Sequence, residues 1–376
     1  MAGGALPVVR PPRREIVAID ALRGVAAFLV VLGHTRSIFF TAQGLPVQGE
    51  GWQRIALIPT GLAEEAVAVF FVISGYLVGG SVIERLRNGS FTWRDYAARR
   101  LSRMYVVLVP GLIFTIMVDA ALRHLGGYSA LGVPSEIEPA TLFCNLAFLQ
   151  ESRCEPFGSN SSLWSLSYEF WFYVIFAAGA VAVAAIRKRP VIAIINFAVV
   201  AGVLVLFGFP LLYLLPAWIM GVVLAWAQRF TTATAATPVA IWGSVVLLAA
   251  AAIGVNLVRV PEALAFIIVG AATLPLLHVM TLSARVWTRA PSRGAAWVGR
   301  WSFSLYVFHR PIAVALLGTL GALQFQSPAA QVAIIYLSAL VVSALAFPCY
   351  FLGEKWTPQI RNILLPRSRS TAAARS

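Results

Sequence analysis

The sequence predicts an all-α fold, a polytopic membrane helical bundle of about ten transmembrane helices, and three observations predict it. Of 376 residues, 59% are hydrophobic and only 12% are charged. Several apolar runs reach the ~18 residues that a membrane-crossing helix needs. The basic residues, which give a formal net charge of +14, gather in short loops on alternate sides of those runs. In a soluble chain that charge would suggest nucleic acid; here membrane topology accounts for it, and no nucleic-acid partner is expected.

The runs fall at 18–40, 64–83, 105–122, 163–186, 190–209, 211–228, 238–257, 263–282, 301–320 and 330–352. In the first, Arg10, Arg13 and Arg14 precede an apolar stretch, as in a signal peptide, but Val25–Phe40 has no small-residue cleavage site and contains His34 and Arg36. It reads as an uncleaved span. An even number of spans leaves both termini on one side. The N-terminal tail, the 84–104 loop, Arg187-Lys188-Arg189, Arg229, the 283–300 loop and the C-terminal tail all fall there. The opposite loops hold only Arg54, Arg123, Arg153 and Arg259. The excess of positive charge makes both termini cytoplasmic. The chain therefore divides into a cytoplasmic tail at 1–17, a membrane domain at 18–352 and a basic cytoplasmic tail at 353–376. Lysine occurs only at 188 and 355 against many arginines, a GC-rich bacterial bias, so the expected location is a bacterial plasma (inner) membrane.

Cys144 and Cys154 share the loop at 123–162, which this topology turns outward. In an oxidising compartment they are a disulfide candidate worth about 2–3 kcal/mol. Cys349 lies in the last apolar run as a small buried hydrophobe. No cysteine or histidine spacing suggests a metal.

Polar residues inside the spans carry the chemistry, since ionisable groups in lipid face a bundle interior or a water-filled cavity. In the first span Asp20 and Arg23 sit three apart on one helical face. His34 lies about 21 Å past Asp20, leaving about 9 Å of a ~30 Å core. The second span centres on Phe70-Phe71-Val72-Ile73-Ser74-Gly75-Tyr76, where the small Ser-Gly pair alone suits close helix packing. Before the third, Arg99-Arg100-Leu101-Ser102-Arg103 serves as a positive-inside anchor. Arg100 and Arg103 also share a face, and paired guanidinium groups suit phosphate. Trp164-Ser165-Leu166-Ser167-Tyr168-Glu169 opens the fourth span, with Glu169 about 9 Å inside. Ser302-Phe303-Ser304-Leu305-Tyr306-Val307-Phe308-His309-Arg310 puts an adjacent His-Arg pair inside the ninth. By depth, Glu169 and His34 are expected at one level, the carboxylate charging up the imidazole. His124 reads as solvated at an outer boundary, and His278 as structural, without a second polar neighbour.

These five stretches, in order, resemble the acyltransferase family 3, the integral-membrane acyltransferases of bacterial surface polysaccharides and related acceptors. The family's D-x-L-R-G followed by His appears as Asp20, Leu22, Arg23, Gly24 and His34, and F-F-x-x-S-G-Y as Phe70–Tyr76. R-R-x-x-R appears as Arg99, Arg100 and Arg103, W-S-L-x-x-E as Trp164–Glu169, and S-x-x-x-Y-x-x-H as Ser302, Tyr306 and His309. Arg310 departs from the commoner apolar residue after that histidine. The resemblance implies an acyl-CoA co-substrate, usually acetyl-CoA, no permanently bound cofactor, and a hydroxyl on a carbohydrate or glycoconjugate acceptor. Arg23, Arg100 and Arg103 would hold the CoA phosphates. His34 would act as general base with Glu169 behind it; direct attack and an acyl-enzyme on Ser74 or His34 both stay open. Read as buried charge alone, the same His, Glu and Arg residues also suit a proton-coupled secondary transporter or flippase.

Overall fold

Hydrocarbon offers backbone amides no partner, so an apolar run that enters it must close its own hydrogen bonds as a helix. The computed structural model describes residues 13–45, 51–125, 131–134, 136–231, 237–282, 290–320, 323 and 325–365. Its helices are α1 (Arg13–Ala42), α2 (Trp52–Ala56), α3 (Ala63–Ser74), α4 (Gly80–Arg87), α5 (Trp93–Leu125), α6 (Pro139–Leu146), α7 (Trp164–Ala185) and α8 (Pro190–Phe207). There follow α9 (Phe209–Ala227), α10 (Pro238–Val258), α11 (Glu262–Leu282), α12 (Ala290–Arg300), α13 (Ser302–Leu320), α14 (Pro328–Ala346) and α15 (Thr357–Leu364). Ten segments among the described residues are long and apolar enough to cross a membrane, which makes this a multi-pass helical bundle.

Burial sorts the segments. The spans built on α1, α3 and α13 bury more than half of their apolar window, whereas α8 and α10 bury under a quarter. Three motif-bearing helices, α1, α3 and α13, therefore form the interior, and α8 and α10 turn Val205, Val239 and Leu257 outward. Lipid gives apolar side chains little reason to leave it, so helices associate there through small residues that let backbones approach. A Cβ on Gly24 would overlap the Ala295 carbonyl and one on Gly299 the Asp20 carbonyl, which fixes the crossing of α1 with α12. Likewise Gly75 meets the Trp218 carbonyl and Gly221 the Val72 carbonyl, which seats α3 on α9.

Several boundaries differ from the sequence reading. The second span continues through a π-helical turn, Gly75–Gly79, into α4. The third begins at Trp93 rather than 105. Hydropathy stops at Arg99–Arg103, but Arg, Ala and Leu are strong helix formers and the helix runs through them. The 283–300 loop contains α12. The expected 330–352 span ends as α-helix at Ala346, just before Pro348, which cannot donate within a helix. The stretch assigned to a C-terminal tail instead folds back: Glu354, half-buried, bonds to α13, and α15 packs on α5. The expected tail at 1–17 is helical from Arg13, and its earlier residues, like the basic end beyond Leu365, lie outside the described residues.

On the side opposite the arginine-rich loops, Cys144 and Cys154 are joined as a disulfide with Cα atoms 6.5 Å apart. Asn145, fully buried beside it, donates to the Thr141 and Glu155 carbonyls and accepts from the Phe157 amide. This knot feeds residues 157–163 down into the bundle, where Ser159, Asn160, Ser162 and Leu163 are buried.

Candidate active site

A cavity of about 200 Å³ lies among α1, α3, α5, α7 and α13, lined by Arg23, Arg100, Arg103, Glu169, Ser74 and Tyr306, among others. Helical spacing puts the three arginines there. Arg99, a quarter-turn away, turns back to Asp95 (3.0 Å), which also pairs with Arg85. Arg100 stacks over the rings of Tyr96 and Tyr173, 5.9 and 5.7 Å from their centroids, and its buried Nε has no hydrogen-bond partner among the described residues. Arg23 is 3.5 Å from Asp20. Three guanidinium groups gathered at one cavity have the chemistry that suits an anion, and Asp20, Glu169 and Glu354 lie near enough to act on them.

The cavity's hydroxyls form a chain whose direction is fixed by its ends. The Trp218 indole N–H can only donate, here to Ser74 Oγ at 3.3 Å. Tyr173 donates to Glu169 Oε1 at 2.6 Å, so at 3.1 Å Ser74 donates to the Tyr173 oxygen. On the other wall Tyr306 donates to the Ser162 carbonyl (2.7 Å) and accepts from Ser165 (2.6 Å). Ser74 and Tyr306 thus have their protons committed, and neither hydroxyl faces a base.

Beyond the Tyr306 ring lie the imidazoles. Tyr306 and His309 ring centroids are 5.9 Å apart, and His34 and His309 are 5.0 Å apart and tilted by 44°. His309 is fully buried; His34 is half-buried. Arg310 donates from Nη1 to His34 Nδ1 (3.0 Å) and from Nε to the Ser159 carbonyl (2.8 Å). Ser159 is held in turn by Asp119, which accepts from its amide (2.9 Å) and its hydroxyl (2.6 Å). Gly158, at φ +60°, makes that turn, and a Cβ there would overlap the Asp119 carboxylate. Pro311 leaves the Val307 carbonyl without its helical N–H donor. Asn160 Nδ2 fills that role at 2.9 Å.

The expected pairing of Glu169 with His34 is not formed. Glu169 serves Tyr173 in the arginine cavity, while His34 faces Arg310 and His309. The depth estimate failed because α7 starts inside the bundle: Ser159, Asn160, Ser162 and Leu163 are already buried before the helix begins. His278 also differs, since Gln228 joins it (3.1 Å) to Thr281 (2.8 Å) and Tyr76 (2.7 Å). Sequence reading passed over Tyr173, Asn160, Asp119 and Glu354. Asp119 carried a usable signal, a carboxylate within a span. Glu354 carried none: it accepts from the amide and hydroxyl of Ser304 (3.0 Å each), capping α13 from the far end of the chain. Among the described residues no group of three or more His, Cys, Asp or Glu is placed to hold a metal.

A helical membrane bundle whose polar motifs converge on an arginine-lined cavity and an adjacent pair of imidazoles falls, by its matched domain, in the class of the integral-membrane acyltransferases. The chain belongs to the acyltransferase 3 family, whose Acyltransferase domain matches residues 16–348. It is 30% identical over 163 residues to the O-acetyl transferase of Shigella phage Sf6, covering 42% of this chain and 43% of that one. A Bacillus subtilis protein provisionally assigned as the peptidoglycan O-acetyltransferase YrhL is 26% identical over 174 residues, covering 43% and 23%. An uncharacterized Haemophilus influenzae protein is 25% identical over 111 residues, covering 29% and 45%. The matched region spans less than half the length of each of these relatives. No solved structure matches the chain.

Proposed function

We propose that this chain is a membrane O-acyltransferase that moves an acyl group, acetyl in the simplest case, from acyl-CoA to a hydroxyl of a carbohydrate or glycoconjugate. One observation carries the reading: Tyr306 lines the arginine cavity, and its ring is also 5.9 Å from that of His309, which His34 adjoins. The arginines suit the phosphates of CoA, and the excess of positive charge at their end of the bundle faces the cytoplasm, where acyl-CoA is made. The cavity measures about 200 Å³. That admits a thioester and the end of the pantetheine arm, while the nucleotide stays at the mouth.

An alcohol is a poor nucleophile near neutral pH, and an adjacent imidazole can take its proton as it attacks. The committed proton of Ser74 favours direct transfer over an acyl-serine intermediate, because a nucleophilic serine needs a base on its hydroxyl. The oxygen of the acceptor bonds to the thioester carbon, the carbon–sulfur bond breaks, and the proton ends on the CoA thiol.

The test is purified protein in lipid, given acetyl-CoA labelled in the acetyl group and surface glycan or glycolipid fractions from the native cell envelope. Covalent label on the glycan, with free CoA released in equal amount, is expected. Movement of the acceptor across the bilayer without covalent change would overturn the reading in favour of a transporter.

A further inference from the structure

We infer that His309, through Nε2, is the general base of the transfer, and that His34, oriented by Arg310, is a hydrogen-bond donor to the reacting carbonyl. The inference deepens the acyl-transfer reading and rests on it. It follows from which partners the two rings have. A guanidinium has only donors and keeps its protons in proteins. His34 Nδ1, 3.0 Å from Arg310 Nη1, must therefore accept, and a neutral His34 carries its proton on Nε2. His309 has the opposite arrangement. Its Nδ1 is 2.7 Å from the Tyr306 carbonyl and 3.2 Å from the Leu305 carbonyl. Carbonyl oxygens only accept, so His309 carries its proton on Nδ1 and its lone pair on Nε2. That Nε2 is buried and has no hydrogen-bond partner among the described residues.

A general base needs a free lone pair and a partner that steadies the imidazolium as it forms. His309 has both, the second in the two carbonyls behind Nδ1. His34 has neither. Placing a proton on its Nδ1 would set two N–H groups head-on, and the adjacent guanidinium opposes a positive ring. The same guanidinium makes His34 Nε2–H suited to a developing oxyanion, the role that preorganised donors play in acyl transfer. The ring centroids are 5.0 Å apart, so base and donor are close enough to serve neighbouring atoms of one transfer. The acceptor hydroxyl gives its proton to His309 Nε2 while its oxygen bonds to the thioester carbon. His34 Nε2–H and Arg310 hold the charge on the carbonyl oxygen. The tetrahedral centre then expels the thiolate, which recovers the proton from His309 as the ester forms.

Two measurements test this. The chain has only 4 histidines, so nitrogen-15 imidazole NMR of the wild-type protein in nanodiscs, assigned with His34→Gln and His309→Gln, reads the tautomers directly. His34 is expected as the Nε2–H form and His309 as the Nδ1–H form; a proton on His34 Nδ1 overturns the proposal whatever the activity. In single-turnover transfer, His309→Gln is expected to lose the ~10²–10⁴-fold of a missing base. His34→Gln keeps an N–H donor and is expected to lose less than the ~10²–10³-fold of a deleted oxyanion donor. CoA binding, measured alongside, should hold in both variants. Near-normal transfer by a folded His309→Gln protein, with His34→Gln inactive, overturns the assignment while leaving acyl transfer intact. No transfer by wild-type protein whose tautomers are as stated removes the acyl-transfer reading instead, and with it the roles of both rings.

Discussion

Asp119 touches neither imidazole, yet it is tied to His34 through two intervening residues. Its carboxylate accepts from the amide and hydroxyl of Ser159, whose carbonyl receives Arg310 Nε, and Arg310 reaches His34. In Asp119→Asn the remaining oxygen can keep the Ser159 amide, but the new NH2 group can only donate to Ser159 Oγ, so the hydroxyl bond must reverse and both bonds lose the charge of the carboxylate. Asp119 is 1% exposed, and a buried hydrogen bond to a charged group contributes about 1.5–3 kcal/mol. Stability in detergent or lipid should fall by about that amount. If half of it reaches Arg310 as displacement, about 1 kcal/mol of transition-state stabilisation goes too, roughly a 5-fold slower transfer. The assay pairs chemical denaturation with single-turnover transfer and CoA binding. CoA affinity should not change, because the arginine cavity lies beyond Tyr306. An Asp119→Asn protein with wild-type stability and rate refutes the chain of positioning. A loss of CoA affinity equal to the loss of rate would show that the two halves of the site are not separate.

Other outcomes are expected from the same geometry. Arg100→Lys and Arg103→Lys keep the charge but lose the planar fork, so insertion should hold while CoA binding weakens by about 1–2 kcal/mol each, read by isotherms on purified variants; unchanged affinity in both would return them to membrane anchoring. Glu169→Gln still accepts from Tyr173 but removes the one carboxylate lining the arginine cavity, so CoA should bind tighter by about 1–2 kcal/mol, with transfer lowered much less than in His309→Gln. A fall to the level of His309→Gln would show that Glu169 acts on the imidazoles after all. Cys144→Ser/Cys154→Ser should cost the loop about 2–3 kcal/mol and slow transfer through Ser159, measured by thermal unfolding and turnover; thiol labelling with an impermeant reagent, equal before and after reduction, would show that the bond does not form in the cell.

The sequence by itself determined the bundle and its ingredients. Apolar runs of membrane length have no alternative to helix in lipid, so ten spans could be counted without knowing any contact. Ionisable groups are costly enough there that Arg23, His34, Arg100, Arg103, Glu169, His309 and Arg310 stood out individually. Only the tertiary structure decided their partners. Depth along separate helices does not say where each helix starts, and a buried loop before α7 carried Glu169 past His34 into the arginine cavity. The tautomer of His34 depended on a contact between residues 276 positions apart. The use of Asn160 depended on a carbonyl that Pro311, in another helix, leaves without a donor. Such pairings are settled by packing, because a donor and an acceptor distant in sequence meet only when the helices that carry them have been brought together.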